Sequence, residues 1–311
     1  MKVAVSGASG HLGQWTVAAL QDAGHELTAI ARRPLSAPSI AGVGWPGPVA
    51  WIACDLASPE AVQILRPALH SAEAVVHLAG HIPEDTSLVS TREALATLRV
   101  NAEGTVQLLD ALATAPRVRR VVYASSFEVY GLPRATPIGE DHPTRPTGLY
   151  GASKLAAEHY VRLFGADRGL ACASLRLPAV YGPGDHLRRA VGNFVSRAAT
   201  GLPPVLRGDG GDRRDLVYVA DAAQAILRAL ESPAEGAINL GSGRGYRILE
   251  IAEAVCRIAG ITAAPVLEPP AKPALDYVLD TTRARTDLGW EPRTSLEQGL
   301  GAQLAWRRAS P

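Results

Sequence analysis

The apolar positions in the first two thirds of the chain fall into short runs separated by longer, mixed stretches. "KVAVSG" (2–7), "ELTAIA" (26–31), "AVVHLAG" (74–80), "RVVYASS" (120–126) and "ACASLRL" (171–177) have the length and residue types of buried strands. Between them, 12–23, 100–115 and 149–165 read as helices. Strands recurring at intervals of roughly twenty to forty residues with helices between them indicate βαβ units, hence a parallel sheet covered on both faces. After Pro178 the alternation loosens. "YGPGD" (181–185) and "RGDGGDRRD" (207–215) are glycine- and aspartate-rich loops around a helix-like 188–200. Helix-like segments recur at 219–231 and 247–260, with "AINLGSG" (237–243) as a strand and turn between them. "PLSAPSIAGVGWPGPV" (34–49) reads as a surface excursion of the first half.

This order predicts an α/β chain with a Rossmann-type doubly wound parallel sheet over residues 1–177, to which 215–240 contributes, and a smaller lobe over 178–311. The 311 residues are enough for both.

Composition narrows the function by exclusion. A formal net charge of +1 gives no electrostatic reason to expect nucleic acid or an anionic membrane as partner. Three widely spaced cysteines, Cys54, Cys172 and Cys256, make neither a disulfide framework nor a zinc site, and they fit a reducing compartment. The chain starts directly in a strand, without a signal sequence or a run of membrane length, so a cytoplasmic setting is expected. Basic residues are almost all arginine; the lysines are Lys2, Lys154 and Lys272.

The chemistry begins at "GASGHLG". Gly7, Gly10 and Gly13 lie between the first strand and the first helix, where they permit a tight turn, close approach of a pyrophosphate and close helix–sheet packing. That context predicts a dinucleotide. At the end of the second strand an acidic residue would bind a ribose 2′-hydroxyl, but the chain reads Ala31, Arg32, Arg33. An arginine there suits a 2′-phosphate, so NADP is favoured over NAD. Asp55, after "VAWIAC", is a candidate acceptor at the adenine edge.

"LYGASKLAAEHY" sets Tyr150 and Lys154 four apart at the start of a helix, on one face. A free phenol titrates near ~10, and a neighbouring ammonium favours its phenolate. Ser126 ends a predicted parallel strand, where active sites of such sheets form. In "YASSFEVYG", strand alternation continued to Glu128 would point it to the same side as Ser126. His77 and His81 are four apart but span a strand and a turn, so no metal site is expected.

Taken together, "GASGHLG", "VVHLAG", "RVNAEGTVQLLDA", "VVYASSFEVYG", "YGASKLAAE", "LRLPAVYGPG", "GDGGDRRDLVYVADAAQAI", "AINLGSG" and "LGWEPRTSLEQGL" resemble, in order and nearly end to end, the extended short-chain dehydrogenase/reductases, the group of NAD(P)-dependent nucleotide-sugar epimerases and dehydratases. The resemblance implies that Gly7, Ser9, Gly10, His11, Leu12 and Gly13 bind the dinucleotide. Arg32, Asp55, Leu56, Leu78, Ala79, Gly80, Asn101 and Pro178 would add to that cofactor site. It makes Tyr150 the acid/base, Lys154 the residue that holds the nicotinamide ribose and tunes Tyr150, and Ser126 the third member. Arg214 takes the position that meets the substrate diphosphate, and the C-terminal lobe becomes the substrate-binding lobe. Family members pair through a four-helix interface, which implies a homodimer using the helix after residue 100 and the one carrying Tyr150.

Two departures bear on the substrate. Ala179 stands where the family often has an asparagine, and "PPAKPALDYVLD" offers Lys272 where a second arginine is usual. Glu128 keeps the carboxylate that family dehydratases use next to a new ketone, but Phe127 replaces their aspartate. Two roles for Glu128 stay open, a base or a scaffold bonded to nearby backbone, with scaffold favoured. The expected activity is epimerisation or dehydration of a nucleotide-activated sugar. The alternatives are an NADPH-dependent ketoreductase of a keto-sugar or other ketone, and a non-catalytic dinucleotide sensor. Retention of both Tyr150 and Lys154 speaks against the sensor.

Overall fold

The computed structural model describes residues 1–40, 42–83, 90–186, 189–269 and 275–309. Its centre is a sheet of seven parallel strands: β1 (Lys2–Ser6), β2 (Glu26–Ala31), β3 (Ala50–Ala53), β4 (Ala74–His77), β5 (Arg120–Ser126), β6 (Ala171–Leu177) and a seventh at Gly236–Asn239. In space they run β3-β2-β1-β4-β5-β6 and then Gly236–Asn239. The chain winds outward in both directions from β1, so the order reverses between β1 and β4. A crevice opens there at the carboxyl ends of the strands, where doubly wound sheets bind ligands. This is the Rossmann-type arrangement expected.

Both sheet faces are covered, which is why the strands are apolar without alternation. On one face, α1 (His11–Asp22) contributes Val17 and Leu20 to a core shared with Ile226 and Leu230 of the helix Val219–Glu231. On the other, Leu65 and Leu69 of α2 (Ala61–Leu69) meet Leu108 and Leu109 of α4 (Gly104–Ala111) and Val161 of α5 (Leu149–Arg168). Between α2 and α4 runs a short α3 (Thr91–Thr97), capped by Ser90, whose hydroxyl accepts the Glu93 N–H.

Several elements differ from the sequence-based expectation. The fourth strand stops at His77, so Leu78–Gly80 form a loop instead of its end. The helix expected at 100–115 is a wide π-type turn over Leu98–Glu103, then α4, then a short 3-10 turn at Leu112–Thr114. The wide turn carries Asn101, which is buried and spends its amide on other segments. Period-2 alternation beyond Ser126 does not hold either, because 127–130 is a 3-10 turn. Strand logic therefore says nothing about Glu128.

The rest of the chain completes the sheet with the seventh strand, covers it with the helices Val219–Glu231 and Thr282–Leu288, and forms a second cluster beside it. After β7 (Ala179–Tyr181) come α6 (Ala190–Ala199), β8 (Val205–Arg207), β9 (Arg213–Arg214), β10 (Leu216–Tyr218), α7 (Val219–Glu231) and β11 (Gly236–Asn239), the seventh strand. These are followed by β12 (Tyr246–Arg247), α8 (Ile248–Ala259), β13 (Val266–Glu268), β14 (Asp276–Tyr277), α9 (Thr282–Leu288) and α10 (Leu296–Ala309). Phe194 and Val195 of α6, Ile251 and Val255 of α8, and Leu300 and Leu304 of α10 share one apolar core. None of the described helices is long and apolar enough to cross a membrane.

Candidate active site

The glycine turn has the geometry its spacing implies. Gly7 has φ +70°, and a Cβ there would lie 2.6 Å from the Ala79 nitrogen, so β1 and the loop after β4 meet in direct backbone contact. A Cβ on Gly13 would fall 2.1 Å from the Gly7 carbonyl oxygen, which explains a glycine one turn into α1. Gly10 is the N-cap residue and supplies no side-chain cap, leaving the first N–H groups of a twelve-residue helix to a ligand. This cradle fits a pyrophosphate. Gln14 anchors the cradle by donating to the Ser9 carbonyl at 3.1 Å, while His11 lies against Gly184 and Leu12 packs on the apolar core beneath α1.

At the end of β2, Arg32 and Arg33 are exposed and in no ion pair among the described residues. At the end of β3, Asp55 is exposed and accepts the Ala57 N–H at 3.0 Å, while Leu56 is buried against Gly104. Leu78, Ala79 and Gly80 follow β4. Asn101 holds this loop in place. Its Oδ1 accepts the His81 N–H at 2.6 Å, and its Nδ2 donates to the His81 carbonyl and to the Ser153 hydroxyl, both at 2.9 Å. These bonds join the loop after β4 to α5 through Asn101.

His77 and His81 have separate partners. His77 Nδ1 lies 2.6 Å from the Ser6 hydroxyl and Nε2 lies 2.9 Å from that of Thr105. Thr105 donates to the Asn101 carbonyl, so it accepts from Nε2–H, and Nδ1 accepts from Ser6. Burial lowers the His77 pKa to about 3, leaving a neutral crosslink between strands and helix. His81 pairs with Glu93 at 3.2 Å.

Tyr150 and Lys154 do share one face of α5, with the ammonium 5.8 Å from the Tyr150 ring centroid. Lys154 is buried, donates to the Ala124 carbonyl at 2.9 Å and sits over the Tyr123 ring at 4.9 Å. Burial lowers its pKa to about 8, against the pull of Glu158. Room for the ammonium depends on Gly80, whose Cβ would lie 3.1 Å from Nζ. Ser126 ends β5 and its hydroxyl accepts the Glu128 N–H at 3.2 Å.

The electrostatics of Tyr150 differ from the expectation of an ammonium favouring its phenolate. Desolvation pushes the phenol well up, the Glu128 carboxylate pushes it the same way, and the opposing charge is Arg189. Arg189 was missed in the sequence because "LRRA" reads as the polar start of a helix. The structure makes it the N-cap of α6 and pairs its Nη1 with Glu128 Oε1 at 3.1 Å.

Arg214 lines a narrow cleft with Phe127, Pro178, Ala179, Asp215, Tyr277 and Leu279. Its guanidinium already pairs with Asp212 at 2.7 Å, donates to the Leu275 carbonyl and stacks 5.0 Å from Tyr277. Pro178, which follows β6, is among the residues lining this cleft. Asp215 is buried and accepts from Ser242 and from the N–H groups of Gly243 and Leu279, knitting the cleft wall together. Lys272 lies outside the described residues.

Comparison with known proteins agrees with this geometry. Residues 3–241 match the model of the "NAD dependent epimerase/dehydratase family". A UDP-glucose 4-epimerase of Mycolicibacterium smegmatis is 37% identical over 67% of this chain and 68% of its own length. A dTDP-glucose 4,6-dehydratase of Streptomyces niveus is 32% identical over 76% and 70%. Among solved structures, the Thermotoga maritima UDP-glucose 4-epimerase with UDP-glucose superposes with a TM-score of 0.86 at 28% identity, covering 100% of this chain and 99% of its own. MoeE5 in complex with UDP-glucose and NAD gives 0.85 at 30% identity, covering 100% and 99%. With its glycine cradle at the β1/β4 crevice and its match across residues 3–241, the chain belongs to the NAD dependent epimerase/dehydratase family, enzymes of the extended short-chain dehydrogenase/reductase type.

Proposed function

We propose that this enzyme epimerises or dehydrates a nucleotide-activated sugar, with Tyr150 as the acid/base. The observation that carries the reading is the placement of Lys154. It shares a face of α5 with Tyr150 and is tied to the β5 carbonyl of Ala124, two residues from Ser126. Active sites of open parallel sheets form at that end of the strand.

With its pyrophosphate held by the cradle, a bound dinucleotide would supply the redox chemistry through its nicotinamide, as hydride acceptor and donor. The chain's part is proton transfer and orientation. Tyr150 takes the proton of the reacting sugar hydroxyl and gives it back, Ser126 donates a hydrogen bond to the same oxygen, and Lys154 supplies positive charge. Residues 1–177, with 215–240, form the dinucleotide-binding part, and 178–311 mainly the substrate-binding lobe.

Two finer points belong to the same proposal. Arg32, exposed where a ribose acid would stand, favours NADP over NAD; Arg32→Ala weakening both cofactors equally would refute this. The exposed Leu95, Leu98, Tyr160 and Leu163 lie on neighbouring elements, α3, the wide turn and α5, and favour a homodimer. Leu98→Glu with Leu163→Glu should shift light scattering from dimer to monomer mass.

The deciding experiment is Tyr150→Phe assayed with UDP-glucose and dTDP-glucose. Interconversion or elimination without net cofactor consumption, lost in Tyr150→Phe with dinucleotide binding retained, supports the reading. Stoichiometric NADPH oxidation with a ketone would make the enzyme a reductase, the second reading, for which the missing amide at Ala179 speaks.

A further inference from the structure

We propose that Arg189 is a positioning residue: by pairing with Glu128 across the two halves of the chain, it keeps that carboxylate from holding the proton on Tyr150. The inference rests on the reading of Tyr150 as the acid/base and adds the element that tunes it. Glu128 follows β5 in a 3-10 turn whose register is set by the Ser126 hydroxyl. Its backbone is packed against α5 at the residue after Tyr150, since a Cβ on Gly151 would fall 2.4 Å from the Glu128 carbonyl oxygen. The backbone of Glu128 is therefore held against the turn of α5 that carries Tyr150 by contacts that do not involve its charge. Arg189 comes from the other lobe, as the N-cap of α6, and reaches Oε1 of Glu128 at 3.1 Å.

The pair does not have the form of a purely stabilising one. Only Nη1 engages Glu128, and Nη2 is buried without a protein acceptor among the described residues. A pair kept for stability alone would avoid a buried unmet donor.

Apart from the Lys154 charge, the other groups around Tyr150 leave the tuning to these two. Lys154, one turn along, is committed to the Ala124 carbonyl. Tyr123 of β5 is held neutral by burial. The wide turn presents the uncharged Asn101 to Ser153, Glu93 of α3 pairs with His81, and Glu158 of α5 pairs with Arg176 of β6. Glu128 and Arg189 act on the Tyr150 hydroxyl with opposite signs. Because they come from different lobes, any movement between the lobes would alter the reactivity of Tyr150.

The test reads the tyrosinate directly. The NAD-loaded protein is titrated by ultraviolet difference absorbance with Tyr150→Phe as the blank, alongside the pH profile of kcat/KM with UDP-glucose. Arg189→Gln, which keeps the size and removes the charge, should move the Tyr150 step up by about one pH unit, the scale of a neighbouring charge. Glu128→Gln should move it down, the double variant should lie near wild type, and Arg189→Lys should restore most of the shift. Thermal melts of each variant establish folding, and Arg189→Ala serves as a second charge-free variant. An unmoved step in Arg189→Gln, or a double variant shifted as far as the single one, overturns this inference alone. Near-wild-type turnover in Tyr150→Phe overturns the Tyr150 reading and this inference with it.

Discussion

Lys154 donates its ammonium to the carbonyl of Ala124 at 2.9 Å, tying the first turns of α5 to the end of β5. The bond fixes the lysine beside Tyr150, but burial lowers its pKa to about 8. The sign is that of a cation disfavoured by desolvation: charged below about 8, neutral above it. Turnover should therefore decline as the pH rises through 8, as the charge next to Tyr150 is lost. Lys154→Met should cut kcat roughly a hundredfold or more at every pH, the range of a lost acid/base partner, with a melting temperature close to wild type. Turnover within a few-fold of wild type would remove Lys154 from the mechanism.

His77 makes stability depend on acid. Its pKa in the fold is about 3, against an unfolded value near 6.5, so between those values the unfolded chain binds a proton that the folded chain does not. Stability from this group is complete above pH 6.5 and falls by about 1.4 kcal/mol per pH unit as the pH drops toward 3. His77→Phe should be less stable at pH 7, because Ser6 and Thr105 lose their partner, yet show a shallower decline in acid. Urea melts at pH 7, 5.5 and 4.5 provide the comparison, and parallel declines in both proteins would contradict the assignment.

The Glu158–Arg176 pair predicts an asymmetry between breaking and replacing charges. The two side chains are buried, make bonds of 3.0 and 2.9 Å, and extend through Arg176 to Tyr130. Arg176→Met alone should destabilise by about 3–5 kcal/mol, because it strands a buried carboxylate. Adding Glu158→Leu should recover a large part of that loss. Chemical denaturation measures both, and a double variant less stable than Arg176→Met would argue that the network needs the carboxylate for its own sake.

Two glycines should respond differently to one added methyl group. At Gly13 the new carbon would collide with backbone, the Gly7 carbonyl oxygen and Ala8, so Gly13→Ala should lose dinucleotide binding and much stability. At Gly80 it would meet the Lys154 ammonium at 3.1 Å and the Asn101 side chain at 3.4 Å, groups that can shift. Gly80→Ala should keep its melting temperature and lose turnover. Calorimetry and steady-state rates on the two proteins would separate these outcomes, and equal loss of stability in both would count against the distinction.

Much of this was legible in the sequence. A doubly wound sheet follows from apolar runs spaced by helices, because buried parallel strands need no polar face. The cradle follows from glycines whose spacing leaves room for backbone contacts that no side chain tolerates, and the Tyr150–Lys154 face follows from helical periodicity. These are local rules, in which neighbours along the chain are neighbours in space. They fail where partners are distant in sequence. Asn101 reads as a cofactor-site candidate, and that the wide turn aims its amide at His81 and Ser153 is not legible from the sequence. The resemblance puts Arg214 where a substrate diphosphate is met, but its bonds to Asp212 and the Leu275 carbonyl are not legible from the sequence. Glu128 poses the sharpest case. The sequence determined that a carboxylate stands two residues after Ser126, and nothing more about its role. Only the tertiary structure decided its company, since the turn that places it ends a strand, and the cation that faces it is sixty-one residues away on the helix of another lobe.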